Sequence, residues 1–419
     1  MKTIIISPCF LPVPAVKGGA VLTLIESLII QNEIEKMTEL TIVSSYDKEA
    51  EKKSKKYKHT NFIFIKDKKP IEIIDRAIEY IRKNILKKNG PSKRYLRKIY
   101  IIKKIKEILH NENYDKVVFE NSGFLLKSIK NKKLLEKYKN KVYYHLHNDI
   151  PKNVDKKVIK ECKLILISKY LEKNIINLLG SNFIKKCQVV KNGFDCSKFN
   201  KEVNINEINN IKQKLKISNE KKIILYTGRI IKEKGIEELI NAICSLNDNK
   251  LFLLIVGSFN FGSNETSLFE KRMNDKVKQL KDNIAFTGFV PYDKMYNYYN
   301  VADIAVLPSV WQEPAGLTML EATAAKVPLI TTNSGGIPEY LNKDLVNMIE
   351  INQDLQENIK SQIINILNNY EKYKKKAIKA SNFVADNYNE KKFYNDFIDC
   401  ILDFWHILNK GNNRKGYRS

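Results

Sequence analysis

Leu307-Pro-Ser-Val-Trp-Gln-Glu313-Pro-Ala-Gly-Leu-Thr-Met-Leu-Glu321-Ala-Thr-Ala-Ala-Lys-Val-Pro-Leu-Ile330 is the stretch around which the rest of the chain is organised. The apolar run Ile304–Leu307 ends at Pro308, as a short strand does. Leu317–Ala325 repeats its apolar residues at helical spacing, and Pro328–Thr331 is again short and apolar. The pattern predicts strand, loop, helix and strand, followed by Gly335-Gly336-Ile337-Pro338-Glu339, a glycine turn into a short helix. Glu313 then lies just outside the helix and Glu321 in its first or second turn, so both carboxylates can point into one cleft.

A helix N-terminus behind a glycine at the carboxyl end of a strand offers free N–H groups and positive dipole density, a setting suited to phosphate. Gly316 lets the backbone come close. An ionised Glu is a pure acceptor and can take two O–H bonds. Two carboxylates beside an anion site therefore suggest a ligand carrying phosphate with hydroxyls on both sides, which is a nucleotide-sugar.

The Glu-x7-Glu spacing, the Pro-Ala-Gly-Leu-Thr inside it and the later Gly-Gly-Ile-Pro-Glu together resemble the retaining glycosyltransferases of family 4, of the bacterial surface-polysaccharide type. That resemblance covers roughly residues 1–400. It implies the α/β GT-B fold: two Rossmann-like, doubly wound parallel-sheet domains facing an interdomain cleft, with the last helix crossing back to the first domain. The expected boundaries are 1–196 for an acceptor-binding domain, 197–388 for a nucleotide-sugar-binding domain, and 389–419 for the returning helix and a loose tail.

Length agrees with two domains, since 419 residues exceed one ordinary core. No window reaches 18 consecutive apolar residues, and Pro8, Pro12 and Pro14 interrupt Thr3–Val16, so neither a spanning helix nor a signal peptide is expected and the cytoplasm is the expected compartment. Six cysteines without Cys-x-x-Cys pairing and five histidines indicate neither a disulfide framework nor a zinc site. Asp-x-Asp, by which another glycosyltransferase fold holds a divalent metal, is missing. No cofactor and no metal are expected.

Charge is uneven. Residues 1–200 hold 43 Lys and Arg against 21 Asp and Glu, whereas residues 201–419 hold 30 against 26. Such a field attracts nucleic acid, anionic lipid or a phosphorylated acceptor, or merely decorates solvated faces. Between Ile71 and Leu109, two predicted helices interleave Arg76, Arg82, Lys87, Lys93, Arg97 and Lys103 with Ile74, Ile78, Ile81, Ile85, Ile99 and Ile102. Basic amphipathic helices lie well on a membrane surface, so peripheral contact at the inner face of the cell membrane is favoured over nucleic acid.

Strands are expected at Lys2–Ser7, Leu40–Ser45, Asn61–Ile65, Lys116–Phe119, Lys141–Leu146, Leu164–Ser168 and Cys187–Val190, alternating with helices such as Ala20–Gln31 and Lys169–Leu179, as in a parallel sheet. Gly18-Gly19 lets the backbone approach an anion where a helix starts. Neither a dinucleotide Gly-x-Gly-x-x-Gly nor a P-loop is present, because Gly257 and Gly262 have the P-loop spacing but Ser263 follows. His147 closes Tyr143-Tyr144-His145-Leu146-His147, beyond the carboxyl end of a strand, where ligands bind in open α/β sheets. His145 shares its face by period-two alternation but lies inside the apolar run.

Asn192-Gly193 is a turn, and Ser197–Lys221 is polar with one helical segment, as in a linker. Strand Lys222–Thr227 then leads into Gly228-Arg229 and Lys234-Gly235, two fixed cations beside the helix that begins near Ile236 and thus a diphosphate clamp. Strands Leu251–Val256, Asn283–Thr287 and Ala302–Leu307 complete the second domain, and Asn389–Leu408 is predicted as a long aromatic-rich helix.

The resemblance assigns roles by position. Gly19 lies against the donor diphosphate and the acceptor, and His147 touches the transferred sugar. Arg229 and Lys234 stabilise the leaving nucleoside diphosphate, and the main chain around Val290 faces the nucleobase. Glu313 holds hydroxyls of the donor sugar, Glu321 those of the ribose, and Ala315, Gly316, Leu317 and Thr318 line the donor. Asn-Gly-x-Asp at Asn192–Asp195 closes the first domain. Catalysis is therefore expected from His147, Arg229, Lys234 and Glu313 on a UDP-sugar, with a glycan or lipid-linked acceptor.

Two departures leave the donor sugar open: Ala315 stands where an aromatic is frequent, and Ala325-Lys326 replaces a small-Gly pair. Three alternatives differ in class. A non-catalytic GT-B partner subunit has no need of the full clamp, an epimerase lacks support in the Glu-x7-Glu context, and a nucleic-acid binder rests on charge alone.

Overall fold

The computed structural model describes residues 1–85, 94–150, 154–202, 204–258, 268–280 and 282–403. It divides into two compact units. The first comprises Met1–Ile167, Leu171–Lys191 and the helix Glu390–Asp403; the second comprises Ser168–Tyr170 and Asn192–Asn389. The chain passes into the second unit at Asn192, ahead of the expected boundary after residue 196. The expected linker belongs to that unit, and its helix Ile205–Lys214 buries Ile211. Asn192 donates its N–H to the Tyr340 hydroxyl at 2.9 Å and so fastens the Asn-Gly turn there.

In the first unit seven strands form one parallel sheet: β1 (Lys2–Ile6), β2 (Glu39–Ser45), β3 (Thr60–Ile65), β4 (Lys116–Glu120), β5 (Val142–Leu146), β6 (Lys163–Leu166) and β7 (Cys187–Val189). Their order is 3-2-1-4-5-6-7. The central strands read as unbroken apolar runs because helices cover both faces; Ile4, Ile5, Ile6, Val117, Val118 and Phe119 are all buried.

The second unit repeats the design with β8 (Lys222–Thr227), β9 (Leu251–Val256), β10 (Ile284–Phe286), β11 (Ile304–Leu307), β12 (Leu329–Thr332) and β13 (Asn347–Ile349), in the order 10-9-8-11-12-13. Here too every strand pair is parallel. In each sheet the winding reverses between two neighbours, β1 with β4 and β8 with β11. A doubly wound sheet opens a crevice at that reversal, outside the carboxyl ends of the strands.

The basic segment between Ile71 and Leu109 forms the helix Lys69–Tyr80, a π-helical turn Ile81–Ile85 and the helix Tyr95–Asn111. Its charge is not all outward. Arg82 is buried against Glu79, and Arg97 is buried with Asp67 at 2.8 Å and the Cys9 carbonyl at 3.0 Å, because the sheet side of a helix tolerates a cation only beside a partner. Ile101 and Ile105 face the core, while Ile73, Ile74, Tyr80, Ile81, Ile85, Tyr95 and Ile99 are exposed. Lys87, Lys88, Lys93, the end of the expected helix at Phe404–Leu408 and the tail Asn409–Ser419 lie outside the described residues.

Candidate active site

The loop after β8 and the loop after β11 meet at the reversal point of the second unit. Gly235 is in the left-handed region at φ +69°, and a Cβ there would lie 1.8 Å from the Pro308 carbonyl oxygen, so only glycine lets these loops close up. Val310 donates its N–H to the Glu233 carbonyl at 3.0 Å, which fastens the second loop to the first.

That closure brings Lys234 to Glu313 as a direct ion pair. Ser309 Oγ lies 3.0 Å from Glu313 Oε1 and 3.1 Å from the Glu233 carbonyl, and can donate its proton to either. Glu313 is buried, whereas Lys234 keeps a quarter of its side chain exposed. The backbone of Glu313 is held by the glycine turn: Gly336 donates its N–H to the Glu313 carbonyl at 2.6 Å. Gly335, at φ +57°, brings its backbone so near that a Cβ would lie 2.2 Å from the same oxygen.

Arg229 is exposed and makes no ion pair among the described residues. Its carbonyl accepts the Tyr226 hydroxyl at 2.8 Å. Burial, together with the Glu313 carboxylate and against the Arg229 guanidinium, pushes that phenol above its ordinary range. Arg229, Lys234 and Glu313 thus act on one locality.

Glu321 lies in the second turn of the helix Leu317–Ala324 and is buried. The Tyr299 hydroxyl donates to Glu321 Oε2 at 3.0 Å while lying 2.9 Å from Thr227 Oγ1 and 3.2 Å from the Thr318 carbonyl, and Tyr292 also bonds to Glu321. Burial pushes the Glu321 carboxyl up to about 7, against the pull of the two tyrosines. The carboxylate expected to stand open to a ligand is already hydrogen-bonded, and neither tyrosine is marked by any motif. Ala315 is buried at the start of the helix, where Gly316, Leu317 and Thr318 are half-buried and the first N–H groups have no intrahelical partner. Val290 is half-buried in the loop after β10.

Gly19 and His147 belong to the first unit. Gly19, at φ +107°, precedes the helix Ala20–Glu35 in the loop after β1. His147 follows β5 and is 7% exposed, so most of its ring is inside the protein. Its Nε2 lies 3.0 Å from Glu120 Oε2, and His145 Nδ1 lies 3.1 Å from Glu120 Oε1. Glu120 is paired with His145 in the β4–β5 register, and period two brings His147 to the same face. Burial tends to raise the Glu120 carboxyl, but the histidines, His145 first, hold it at about 2. Burial and His145 depress His147 to about 4, against Glu120, leaving the ring neutral.

Glu120 was not legible as a site residue, since no spacing in the sequence links position 120 to 145; the signal is the sheet order. These three side chains are also the one group among the described residues with metal-ligand atoms mutually within 4.8 Å.

Residues 207–382 match the family model for glycosyl transferases group 1. Over 208 residues the chain is 28% identical to the lipopolysaccharide 1,2-N-acetylglucosaminetransferase of Salmonella typhimurium, covering 48% of this chain and 51% of that protein. An uncharacterized 42.6 kDa protein of the cps region of Klebsiella pneumoniae is 27% identical over 369 residues, 85% of this chain and 91% of that one. The first relatives matched are spanned over only 33% to 51% of their own length. Among solved structures, Anabaena HepE in complex with UDP-glucose superposes with a TM-score of 0.71 at 16% identity, over 96% of this chain and 99% of that one, a likeness of fold. The two parallel-sheet units are those of the GT-B fold, and the segment 207–382, within the second of them, is similar to the glycosyl transferases group 1.

Proposed function

We propose that the protein is a retaining, metal-independent hexosyltransferase that moves a sugar from a nucleoside diphosphate, with UDP as the favoured nucleotide, to a hydroxyl of a glycan or lipid-linked acceptor. The observation that carries this reading is the Lys234–Glu313–Ser309 cluster with exposed Arg229 beside it, at the reversal point of the second sheet. Lysine has three donors, so Lys234 can keep Glu313 and still meet a phosphate oxygen.

In the reaction the bond between the anomeric carbon and the phosphate oxygen breaks, and the acceptor oxygen bonds to the same face. Its proton passes to the departing phosphate. Arg229 and Lys234 neutralise the charge that grows there, where fixed charges stabilise the transition state most. Glu313 accepts hydroxyls of the sugar, Glu321 those of the ribose, the N–H groups from Gly316 to Thr318 bind sugar or phosphate, and the main chain at Val290 faces the base. Gly19 serves the diphosphate and His147 the sugar.

Relatives in lipopolysaccharide and cps contexts support a surface polysaccharide as the product. No helix among the described residues is long and apolar enough to cross a membrane. Exposed Ile73, Ile81, Ile85 and Ile99, set among exposed Arg76, Arg94, Lys103 and Lys106, fit a peripheral contact with an anionic membrane surface facing the cytoplasm. Incubation with a panel of nucleotide-sugars tests the proposal: release of nucleoside diphosphate from one of them, lost in E313A, supports it, and no release from any donor with any acceptor overturns it.

A further inference from the structure

The Glu120–His145–His147 cluster is buried, polar and outside the donor clamp. Its three groups share one carboxylate: Oε1 faces His145 Nδ1 at 3.1 Å and Oε2 faces His147 Nε2 at 3.0 Å. A carboxylate that stays ionised can only accept, so each ring nitrogen facing it carries the hydrogen. A neutral imidazole has one N–H, and His147 has spent it on Glu120.

The surroundings hold the arrangement in place. Asn121, left-handed at φ 46°, accepts the His147 backbone N–H on its Oδ1 at 3.0 Å and donates its own N–H to the His145 carbonyl at 2.8 Å. Phe393 and Phe397 of the helix Glu390–Asp403 lie 6.5 and 5.8 Å from the His145 ring, shielding it from water. His147 alone of the two histidines keeps appreciable exposure, 7% against 1%.

We propose that Glu120 is a positioning residue that fixes His147 in the Nε2–H tautomer, so that its bare Nδ1 stands ready to accept a hydrogen bond from a hydroxyl of the transferred sugar. The last step rests on the reading that His147 meets the sugar; the tautomer does not depend on it. The same three groups could be taken for a metal site. A histidine bound to metal through Nδ1 almost always donates its other N–H to an acceptor. His145 Nε2 is buried without the hydrogen-bond partner that a metal-bound His145 would need, so the hydrogen-bonded arrangement fits better.

The test is long-range proton–nitrogen NMR on the full chain labelled with ¹⁵N-histidine at pH 7.5, with His147 assigned by the signals lost in H147N. With only five histidines the spectrum is tractable. The expected result is a neutral His147 protonated on Nε2 alone, with E120Q shifting it toward the other tautomer. Transfer by E120Q should fall roughly 10- to 100-fold in kcat/KM, partly rescued in E120D, with melting curves confirming that both variants fold.

An Nδ1-protonated or doubly protonated His147 in the wild type overturns the proposal. So does an equivalent of zinc or iron in the purified wild type that is lost in E120Q, or an E120Q variant with unchanged tautomer and activity. If the wild type transfers no sugar, the NMR result still decides the tautomer, and the function reading fails by itself.

Discussion

Lys234 and Glu313, 79 residues apart in the chain, form an ion pair at the reversal point of the second sheet. The pair is lopsided. Glu313 is buried, with Ser309 as its other side-chain partner, whereas Lys234 reaches water. Truncating the lysine strands a buried carboxylate; truncating the glutamate leaves a cation that can turn to solvent. K234A should therefore cost about 2 kcal/mol of stability and E313A under ~1 kcal/mol, measured by urea unfolding. The reverse order would show that the pair is not built this way.

Tyr299 is fully buried, and its hydroxyl faces Glu321, Thr227 and the Thr318 carbonyl. Y299F removes one group and leaves three polar neighbours short of it. Stability should drop by ~1–2 kcal/mol in the same assay.

The raised Glu321 carboxyl gives a pH dependence with a definite sign. Its ordinary value is 4.5 and its folded value about 7, so this group favours folding fully below pH 4.5 and loses that contribution as pH rises through about 7. Ligand binding should run the other way, because an ionised carboxylate accepts two ribose hydroxyls and a protonated one accepts them poorly. UDP affinity by calorimetry should rise between pH 6 and 8 in the wild type, and this component should vanish in E321Q.

Gly335 connects the glycine turn to the first glutamate. An alanine there is strained at φ +57° and collides with the Glu313 carbonyl. G335A should lose ~2 kcal/mol or more of stability and weaken UDP binding roughly 10-fold, read by thermal melting and calorimetry. Unchanged binding would separate the turn from the site.

Ile81, Ile85 and Ile99 are exposed apolar side chains on the most basic part of the chain. Vesicles containing phosphatidylglycerol should bind the wild type in low salt, and I85E/I99E should lower that binding about 10-fold. Equal binding of both proteins would dismiss the surface.

Much of this was legible in the sequence. Lys169–Leu179, Lys222–Thr227 and Leu251–Val256 have the bounds their apolar patterns predict. Arg229, Lys234 and Glu313 follow from positions at the carboxyl ends of strands. Partners across strands were not legible: Glu120 reaches the histidines only because β4 lies beside β5, and Tyr299 reaches Glu321 from the helix Met295–Asn300. Neither relation has a sequence period. Arg82 and Arg97 read as surface charge because an inward-facing cation and its acid partner look, along the chain, like any other charged residues.

The most direct measurement is titration of the purified protein with UDP and with UDP-sugars at pH 8, beside R229A and K234A. The wild type should bind saturably and one-to-one, and binding should weaken at least about 10-fold in each variant. Binding of equal strength in all three proteins, or none to any nucleoside diphosphate, would contradict it.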